Sequence, residues 1–323
     1  MSSMKNVVLT VLIFLFATPA FALELALPVD CTVGSDCWVQ QYADHDAGPG
    51  STDFACGVAS YDKHDGTDIR VLNTGVEVAV LAAAAGRVKA VRDGVADSLV
   101  KTAADVAAVA KIECGNGVVI THDDGWETQY CHMRKGSVAV KAGDEIGAGD
   151  RLGLIGFSGE AAFPHVHVTV RKNGKVVDPF SADDMTNCKA LDRSLWSTPA
   201  QKALTYKGSE VLLLQWANTA FSEADFDSGK FPPLQPSRNE TALVANAMAI
   251  NLYKDDVVSL TMTVPGQEPA VSRVVLARNR AVQRLYAGKK RNGDWPRGRY
   301  VARFEIVRGG TVVLSKDVNF DIN

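Results

Sequence analysis

Histidine and aspartate residues with the spacing of metal ligands are the most informative feature of this sequence. His64 and Asp68 form a His-x-x-x-Asp motif, and about a hundred residues later His165 and His167 form a His-x-His motif. Zinc in catalytic sites usually takes three protein ligands of the His, Asp or Glu type and leaves a fourth position for water. The two motifs therefore contain enough ligands for a catalytic zinc site.

The second motif lies in a segment that predicts a β-strand with one apolar and one polar face. Side chains alternate between the two faces of a strand. Three valines would therefore point into the core, while His165, His167 and two further polar residues line a wet surface. An isolated His-x-His pair on such a strand is more often only exposed, so the interpretation depends on its combination with His64 and Asp68.

A third histidine is expected beside this surface. Residues 126–132 predict another strand, and by the same alternation Trp126, Thr128, Tyr130 and His132 share one face. We expect that face to close a third side of a polar groove. Four of the six histidines then fall in three short motifs, which scattered histidines rarely do.

The first 22 residues predict a signal peptide. Lys5 precedes an apolar run over 7–17, and Ala20-Phe21-Ala22 has the small-x-small form of a signal-peptidase site. The run is shorter than the roughly 18–20 residues that a membrane-spanning helix needs, so a membrane anchor and stable membrane insertion are disfavoured. We expect an exported protein whose mature chain begins at Leu23.

Charge and cysteine content agree with export and argue against a nucleic-acid partner. The formal charge of −3 over 323 residues is nearly neutral, whereas nucleic-acid-binding domains carry a basic surface. Six cysteines follow residue 22, and an even number in an oxidising compartment predicts up to three disulfides. The expected pairs are Cys114 with Cys131 across a hairpin, Cys37 with Cys56, and Cys31 with Cys188.

Composition and periodicity divide the chain into five segments. The signal peptide (1–22) precedes an irregular, cysteine-bearing segment (23–60) and a domain of short alternating strands (61–190). A linker (191–206) leads to a second region of alternating strands (207–323), which we interpret as an immunoglobulin-like β-sandwich. The predicted fold class is all-β, with an antiparallel sheet that carries a groove followed by the sandwich.

One segment departs from the strand pattern. Residues 95–110 are rich in alanine and lie between two predicted strands. Long inserts in compact domains are often lids or binding loops. We expect a short helix or a mobile flap near the groove, with a plain surface insertion as the alternative.

The three histidine motifs resemble those of peptidase family M23, the zinc endopeptidases of the lysostaphin or LytM type. Members share a His-x-x-x-Asp motif, a His at the end of a Tyr-x-His strand and a terminal His-x-His. The resemblance runs from about residue 61 to 180 and includes Asn173-Gly174 after the last motif. It departs from the family pattern at Phe163-Pro164, which could reshape the groove wall.

This resemblance implies that His64, Asp68 and His167 bind Zn²⁺, while His132 and His165 stand beside the open position and transfer protons. It implies a zinc metalloendopeptidase that uses a zinc-activated water to hydrolyse peptide bonds in the stems or cross-links of peptidoglycan. Such an enzyme acts in the periplasm or outside the cell, and peptidoglycan peptides are its expected partners. Which of the two free histidines is the base is left open.

Two alternatives belong to other functional classes. Some relatives have lost ligands and act as non-catalytic, peptidoglycan-binding activators of other cell-wall hydrolases, but here all five key positions are filled. A secreted bacteriolysin would need a wall-binding signature in 207–323, and none is evident there. The sandwich could support the peptidase structurally or dock a partner protein.

Three polar residues near the motifs are interpreted as lying outside the chemistry. His122 matches a histidine that family members often have at the hairpin turn, and we expect it to be structural. His45 is expected to be a surface residue. Asp65 lies inside the first motif but is interpreted as a solvated loop acid rather than a ligand.

Overall fold

Alternating apolar and polar residues in the first half of the chain form one large antiparallel sheet in the computed structural model, as the sequence predicts. The structure describes residues 23–183, 185–188, 193–232 and 237–323. The predicted signal peptide therefore lies outside the described residues. Within these ranges, no helix is both long enough and apolar enough to cross a bilayer.

The described part of the first half of the chain forms one structural unit of ten strands, whose last long strand is β9 (His165–Lys172). The strands of this unit are β1 (Cys37–Gln41), β2 (Thr67–Val71), β3 (Ala79–Leu81), β4 (Gly86–Arg92), β5 (Asn116–Thr121), β6 (Trp126–Met133), β7 (Glu145–Ile146), β8 (Arg151–Leu154), β9 (His165–Lys172) and β10 (Lys175–Val177). Eight of them form one sheet in the order β1-β2-β9-β6-β5-β4-β7, with β10 beside β9, while β3 pairs with β8.

Strand β9 shows the alternation that the sequence predicts. Val166, Val168 and Val170 are fully buried in the core of the first unit. The residues between them point to the opposite face of the sheet. Apolar burial on one face therefore fixes which side chains β9 offers to the groove.

The N-terminal segment 23–60 is less irregular than predicted. Its strand β1 extends the sheet at the edge beside β2. Tyr42 and Phe54 pack with Phe180 and Tyr206, with ring centroids 4.9 to 5.5 Å apart. This aromatic cluster joins the segment to the end of the first unit.

One of the three predicted disulfides is correct and two are wrong. Cys114 bonds to Cys131 as expected, but Cys31 bonds to Cys37 and Cys56 bonds to Cys188. Cys31 and Cys37 lie on either side of a tight turn just before β1, so they meet locally. Cys56 then remains for Cys188, and this bond ties the N-terminal segment to the chain beyond β10.

The predicted linker over 191–206 differs from the observed structure in its described part, 193–206. Leu195, Trp196 and Leu204 are buried in the core of the first unit. Between them lies the short helix Thr198–Ala203. This stretch therefore completes the core of the first unit instead of running free between two units.

Two further sheets form the second unit. Its strands are β11 (Glu210–Ala217), β12 (Ala242–Leu252), β13 (Val257–Thr263), β14 (Ala270–Val275), β15 (Arg280–Lys290), β16 (Gly298–Arg308) and β17 (Thr311–Ile322). They form a three-stranded sheet, β11-β12-β15, and a four-stranded sheet, β14-β13-β16-β17. Both sheets contribute to a single core, with Leu243 of β12 and Phe304 of β16 fully buried. The β-sandwich is confirmed, and its immunoglobulin-like kind stays a prediction.

The alanine-rich segment 95–110 contains a single short helix, Ala103–Ala108, which begins at a capping box of Thr102 and Asp105. No residue of this helix is buried. The chain before it is more closely attached, because the Val100 N–H donates to the Ala161 carbonyl at 2.9 Å. The helix of this segment is therefore exposed, whereas the residues before it are held to the rest of the unit by a backbone hydrogen bond.

The two units also pack against each other. Trp38 of β1 shares a buried cluster with Leu212, Met248 and Ile250 of the sandwich. The side-chain amide of Asn251 donates to the Gln40 carbonyl at 2.8 Å. This contact brings the sandwich to the edge of the large sheet, beside the polar groove.

We expect the Cys114–Cys131 disulfide to stabilise the fold by about 3 kcal/mol, because it closes a 17-residue loop in the unfolded chain. Replacing both cysteines with Ser should lower the free energy of unfolding by that amount in a urea titration. The matched control removes Cys31 and Cys37, whose separation of 6 residues predicts a smaller loss of about 2 kcal/mol. An equal loss from the two pairs would contradict this explanation.

Candidate active site

Three side chains from the two sequence motifs place one potential metal-ligand atom each within a few ångströms of the others. His64 Nε2 lies 3.1 Å from both Asp68 Oδ1 and His167 Nδ1, and the last two atoms are 2.8 Å apart. Ligands at about 2.0 Å from a tetrahedral zinc ion are about 3.3 Å from one another. Two imidazole nitrogens and one carboxylate oxygen are a donor set that suits zinc, so the residues fit this ion.

The strand register explains why these atoms meet. Strands β2 and β9 are antiparallel neighbours, and Asp68 is directly opposite His167. Opposed residues of an antiparallel pair point to the same face of the sheet. His64 joins them from the loop before β2, where its backbone N–H donates to the Tyr61 carbonyl at 3.0 Å.

Hydrogen bonds on the far side of each imidazole select the nitrogen that faces the other ligands. His64 Nδ1 donates to the Tyr42 carbonyl at 2.7 Å, which leaves Nε2 free. His167 Nε2 donates to Asp65 Oδ1 at 3.0 Å, which leaves Nδ1 free. Metal-binding histidines are commonly oriented in this way by a carbonyl or a carboxylate.

Asp65 is therefore more than the solvated loop acid that the sequence suggested. Its side chain is 46% exposed, but one carboxylate oxygen holds His167 and the other lies 3.4 Å from Arg171 Nη2. The feature that indicates this role is the position of Asp65 in a loop that crosses the strand of the His-x-His motif. A carboxylate there can orient the histidine without binding a metal.

Gly66 permits this crossing because the loop runs directly over His167. A Cβ atom at Gly66 would lie 2.6 Å from both His167 Nε2 and the Val168 carbonyl oxygen. Real Cβ atoms do not approach backbone so closely. Only glycine lets Asp65 and Asp68 face the same imidazole from the two sides of the loop.

The protonation of His167 depends on the carboxylates of Asp65 and Asp68. Burial by itself lowers the pKa of His167, but hydrogen bonds to Asp65 and Asp68 outweigh burial and raise it to about 9. The pKa of Asp68 lies well below its ordinary range although burial opposes this, because His64 and His165 are close. The site therefore favours a positive charge between its acids.

His132 reaches the groove by a route that differs from the predicted one. In the register of β6 with β9, Tyr130 is opposite Val168 and Cys131 is opposite His167, so strict alternation would turn His132 into the core with Tyr130. Instead the backbone of His132 has a φ of +62°, a left-handed conformation that non-glycine residues seldom adopt. The predicted shared face of Trp126, Thr128, Tyr130 and His132 is wrong, although the predicted position of His132 is right.

His132 and His165 lie side by side next to the three potential ligands. Their ring centroids are 4.5 Å apart, and His165 Nε2 is 3.7 Å from Asp68 Oδ1. His132 Nδ1 donates to the Ser158 carbonyl and His165 Nδ1 to the Phe163 carbonyl, each at 2.8 Å. Both Nε2 atoms are therefore left free to accept a proton.

Burial keeps these two imidazoles neutral. It lowers the pKa of His165 below the ordinary histidine value, and burial together with the neighbouring His165 and His167 lowers the pKa of His132 well below that value. Neutral imidazoles beside a metal site can act as proton acceptors at neutral pH. The geometry thus separates two potential proton carriers from three potential ligands.

The remaining two histidines lie away from this cluster. His122 Nδ1 donates to the Ala85 carbonyl at 2.7 Å and its Nε2 lies 2.9 Å from Thr128 Oγ1, in keeping with a structural residue. His45 is not the surface residue that we expected. It is buried, and its Nε2 lies 2.8 Å from Asp178 Oδ2.

A groove passes over the cluster as two joined cavities. One is about 440 Å³ and includes Asp68, His132 and His165 in its lining. The other is about 570 Å³ and includes His132 and His167. Tyr61, His132 and Glu160 line both cavities, so an extended chain can pass over four of the five clustered residues.

The sequence of this part of the chain identifies its class. Residues 62–179 match the profile of peptidase family M23, and they contain all five residues of the cluster. This part of the chain is a domain of that family. The matched segment begins two residues before His64 and ends just after Asp178, so it covers strands β2 to β10 and excludes both β1 and the sandwich.

Individual relatives match over the same region. The chain is 33% identical over 90 residues to the DD-carboxypeptidase/endopeptidase Mpg of Neisseria meningitidis, which is 28% of this chain and 20% of that protein. It is 36% identical over 69 residues to the peptidoglycan DD-endopeptidase ShyA of Vibrio cholerae, which is 21% of this chain and 16% of that protein. The chain thus spans about a fifth or less of the length of these two relatives.

Among solved structures, a catalytic-domain variant of the prophage-encoded M23 protein EnpA from Enterococcus faecalis is similar. It is 27% identical in sequence, and the match covers 42% of this chain and 85% of that one with a TM-score of 0.30.

We expect Asp65→Ala to weaken zinc binding by about 10- to 100-fold, because His167 loses the carboxylate that orients it. Competition with a chromophoric chelator measures the affinity. The matched control is Asp62→Ala, which removes an exposed carboxylate paired with Lys63 in the same loop. Equal affinities for the two variants would contradict the orienting role of Asp65.

Proposed function

We propose that this chain is a zinc-dependent endopeptidase that hydrolyses peptide bonds of peptidoglycan. The observation that carries the proposal is the convergence of His64, Asp68 and His167 at ligand distances, with the free Nε2 atoms of His132 and His165 beside them. A purely structural zinc site is usually closed by four protein ligands. Three ligands next to an open groove are typical of a catalytic site.

The proposed mechanism divides the work among the five residues. His64, Asp68 and His167 would hold the zinc ion, and Asp65 would keep His167 in the tautomer that binds it. A zinc ion held there would supply a water of lowered pKa, about 7, and would polarise a carbonyl group. No glutamate base is required, because two neutral imidazoles already face the same space.

His132 and His165 would carry the protons of the reaction. Because each Nδ1 is fixed to a backbone carbonyl, each Nε2 can accept a proton from the attacking water or return it to the leaving amine. A protonated imidazole can also stabilise the negative charge that develops on the carbonyl oxygen. The two rings lie 4.5 Å apart, so both can reach one scissile bond.

The substrate class follows from the relatives and from the shape of the groove. Mpg and ShyA are named as DD-endopeptidases, the first also as a DD-carboxypeptidase. We extend this substrate class, D,D-linked peptides of peptidoglycan, to the chain described here. A groove of two joined cavities suits an extended peptide rather than a compact small molecule.

We also propose that the protein is exported and acts in the periplasm or outside the cell. Three disulfides connect its six cysteines, and disulfides persist in oxidising compartments. Peptidoglycan lies in those compartments. The signal peptide predicted over residues 1–22 agrees with this placement.

A non-catalytic activator is not favoured, because both the ligands and the proton carriers are in place. The bacteriolysin alternative gains no support from the sandwich, whose observed role is to pack against the large sheet. Docking of a partner protein through the sandwich stays a prediction. The residues of the cluster therefore support hydrolysis above binding alone.

The test is digestion of purified peptidoglycan by the zinc-loaded protein, with products identified by mass spectrometry. We expect a chelator to abolish cleavage and added zinc to restore it. His167→Ala should lose both metal and cleavage, whereas His132→Ala should keep stoichiometric zinc and lose about 10²- to 10⁴-fold in rate. His122→Gln, outside the cluster, is the control.

Two results would contradict the proposal. Cleavage that persists under full chelation, or in His167→Ala, would exclude the zinc mechanism. Binding of one equivalent of zinc without cleavage of any peptidoglycan preparation would favour the activator instead.

A further inference from the structure

One buried cation beside the proposed catalytic residues has no anionic partner. Arg70 is only 4% exposed, and its guanidinium forms one side-chain hydrogen bond, from Nη1 to Gln40 Oε1. Its Nε is buried and has no hydrogen-bond partner, and within the part of the chain that the structure describes no carboxylate forms an ion pair with it. Burying an unpaired charge is costly, so this position needs an explanation.

The position of Arg70 connects it to the groove. It is two residues beyond Asp68 on β2, and it is directly opposite His165 on β9. Asp68 and Arg70 therefore point to the same face. Both line the cavity of about 440 Å³ together with His132 and His165.

The surroundings of Arg70 hold it in place without neutralising it. Its Cζ atom lies 4.7 Å from the ring centroid of Phe163, and the Phe163 ring in turn lies 4.5 Å from that of His165. An arginine side chain carries a positive charge at neutral pH, so the cavity contains an uncompensated positive charge.

The other charged groups of this cavity are already engaged or lie at its mouth. Arg284, contributed by the sandwich, pairs with Glu223 and stacks on Phe226 at 4.3 Å. Asp68 is one of the three proposed zinc ligands. Glu160 is exposed and lines both cavities. Arg70 is thus the cation that is available to a ligand.

We propose that Arg70 binds a free carboxylate of the substrate, on the residue that contributes the nitrogen of the scissile bond. This inference rests on the proposed peptidase function and narrows its substrate class. The favoured bonds are those whose amine-side carbon also carries a free carboxylate. D,D-peptide bonds of peptidoglycan have this feature, whether they end a stem or form a cross-link.

The distances are compatible with such a contact. The carboxylate carbon of a residue lies about 2.5 Å from its own nitrogen, each carboxylate oxygen lies about 1.2 Å further on, and a charge-assisted N–H···O contact adds about 2.8 Å. Their sum is close to the roughly 6.6 Å that separates residues two apart on a strand. A scissile nitrogen beside Asp68 and His165 would therefore place its carboxylate near Arg70.

The sandwich completes this end of the groove. Phe226, Phe231 and Val282 line the same cavity, so the wall that faces Arg70 is largely apolar. A carboxylate that enters there loses water, which strengthens its attraction to the guanidinium. The second unit thus contributes to substrate choice through the environment that it gives to Arg70.

The experiment compares two stem peptides that end in D-Ala-D-Ala, one with a free C-terminal carboxylate and one with a carboxamide. The zinc-loaded mature protein should cleave the acid with a kcat/KM about 10- to 100-fold above that of the amide, since a hydrogen bond to a charged group is worth about that factor. Arg70→Met should remove this preference by lowering the value for the acid alone. Arg87→Met, an exposed arginine outside the groove, should keep the preference.

Stability separates a binding role from a structural one. Methionine fills a similar volume, so removing an unpaired buried charge should leave the thermal midpoint unchanged or raise it. A lower midpoint together with an equal loss of activity on both peptides would show a structural role for Arg70. Equal cleavage of the two peptides by the unmodified protein would also overturn the inference.

A binding measurement keeps this inference separate from the peptidase proposal. Calorimetry with the same two peptides and zinc-loaded His132→Ala should show tighter binding of the acid, and the additional change Arg70→Met should abolish the difference. If neither these peptides nor purified peptidoglycan is cleaved but this difference persists, the peptidase proposal fails and the carboxylate site stands. If the two peptides bind equally, the carboxylate site fails.

Discussion

The cross-strand pairing of Asp68 with His167 is the constraint on which the rest of the site depends. Both residues belong to strands whose opposite faces are buried, and a slip of one residue would turn both side chains into the core. Burial of the β9 valines therefore fixes the positions of the site residues as well as the fold. His64 and Asp65 join from the preceding loop only because Gly66 lets that loop pass against β9. Arg70 extends the same alternation to the next position on β2.

Much of this arrangement could be predicted from sequence because it depends on local periodicity. Alternation alone put His165 and His167 on one face, and the all-β class followed from the same pattern. His132 could not be placed correctly by that rule, since a single left-handed backbone conformation reverses its direction at the end of β6. Asp65 was missed for a related reason: its role depends on a loop crossing a strand that is about a hundred residues away in sequence.

Features that depend on long-range packing were the hardest to predict. Two of the three disulfides were paired wrongly, because nothing in the spacing of Cys56 indicates that it meets Cys188. The buried pair of His45 and Asp178 joins the N-terminal segment to the end of the M23 domain, and neither residue shows this locally. The contact of the sandwich with the large sheet, and its share in the groove wall, likewise appear only in three dimensions. These contacts place an unpaired Arg70 in an environment that favours a carboxylate.

We propose that three residues bind zinc while two histidines beside it stay free. The most direct measurement is a crystal structure of the zinc-loaded protein with anomalous data collected at the zinc edge. We expect one ion bound by His64 Nε2, Asp68 Oδ1 and His167 Nδ1, with the Nε2 atoms of His132 and His165 near it but not coordinated. An ion held by His132 or His165, or a fully occupied ion elsewhere with this cluster empty, would contradict it.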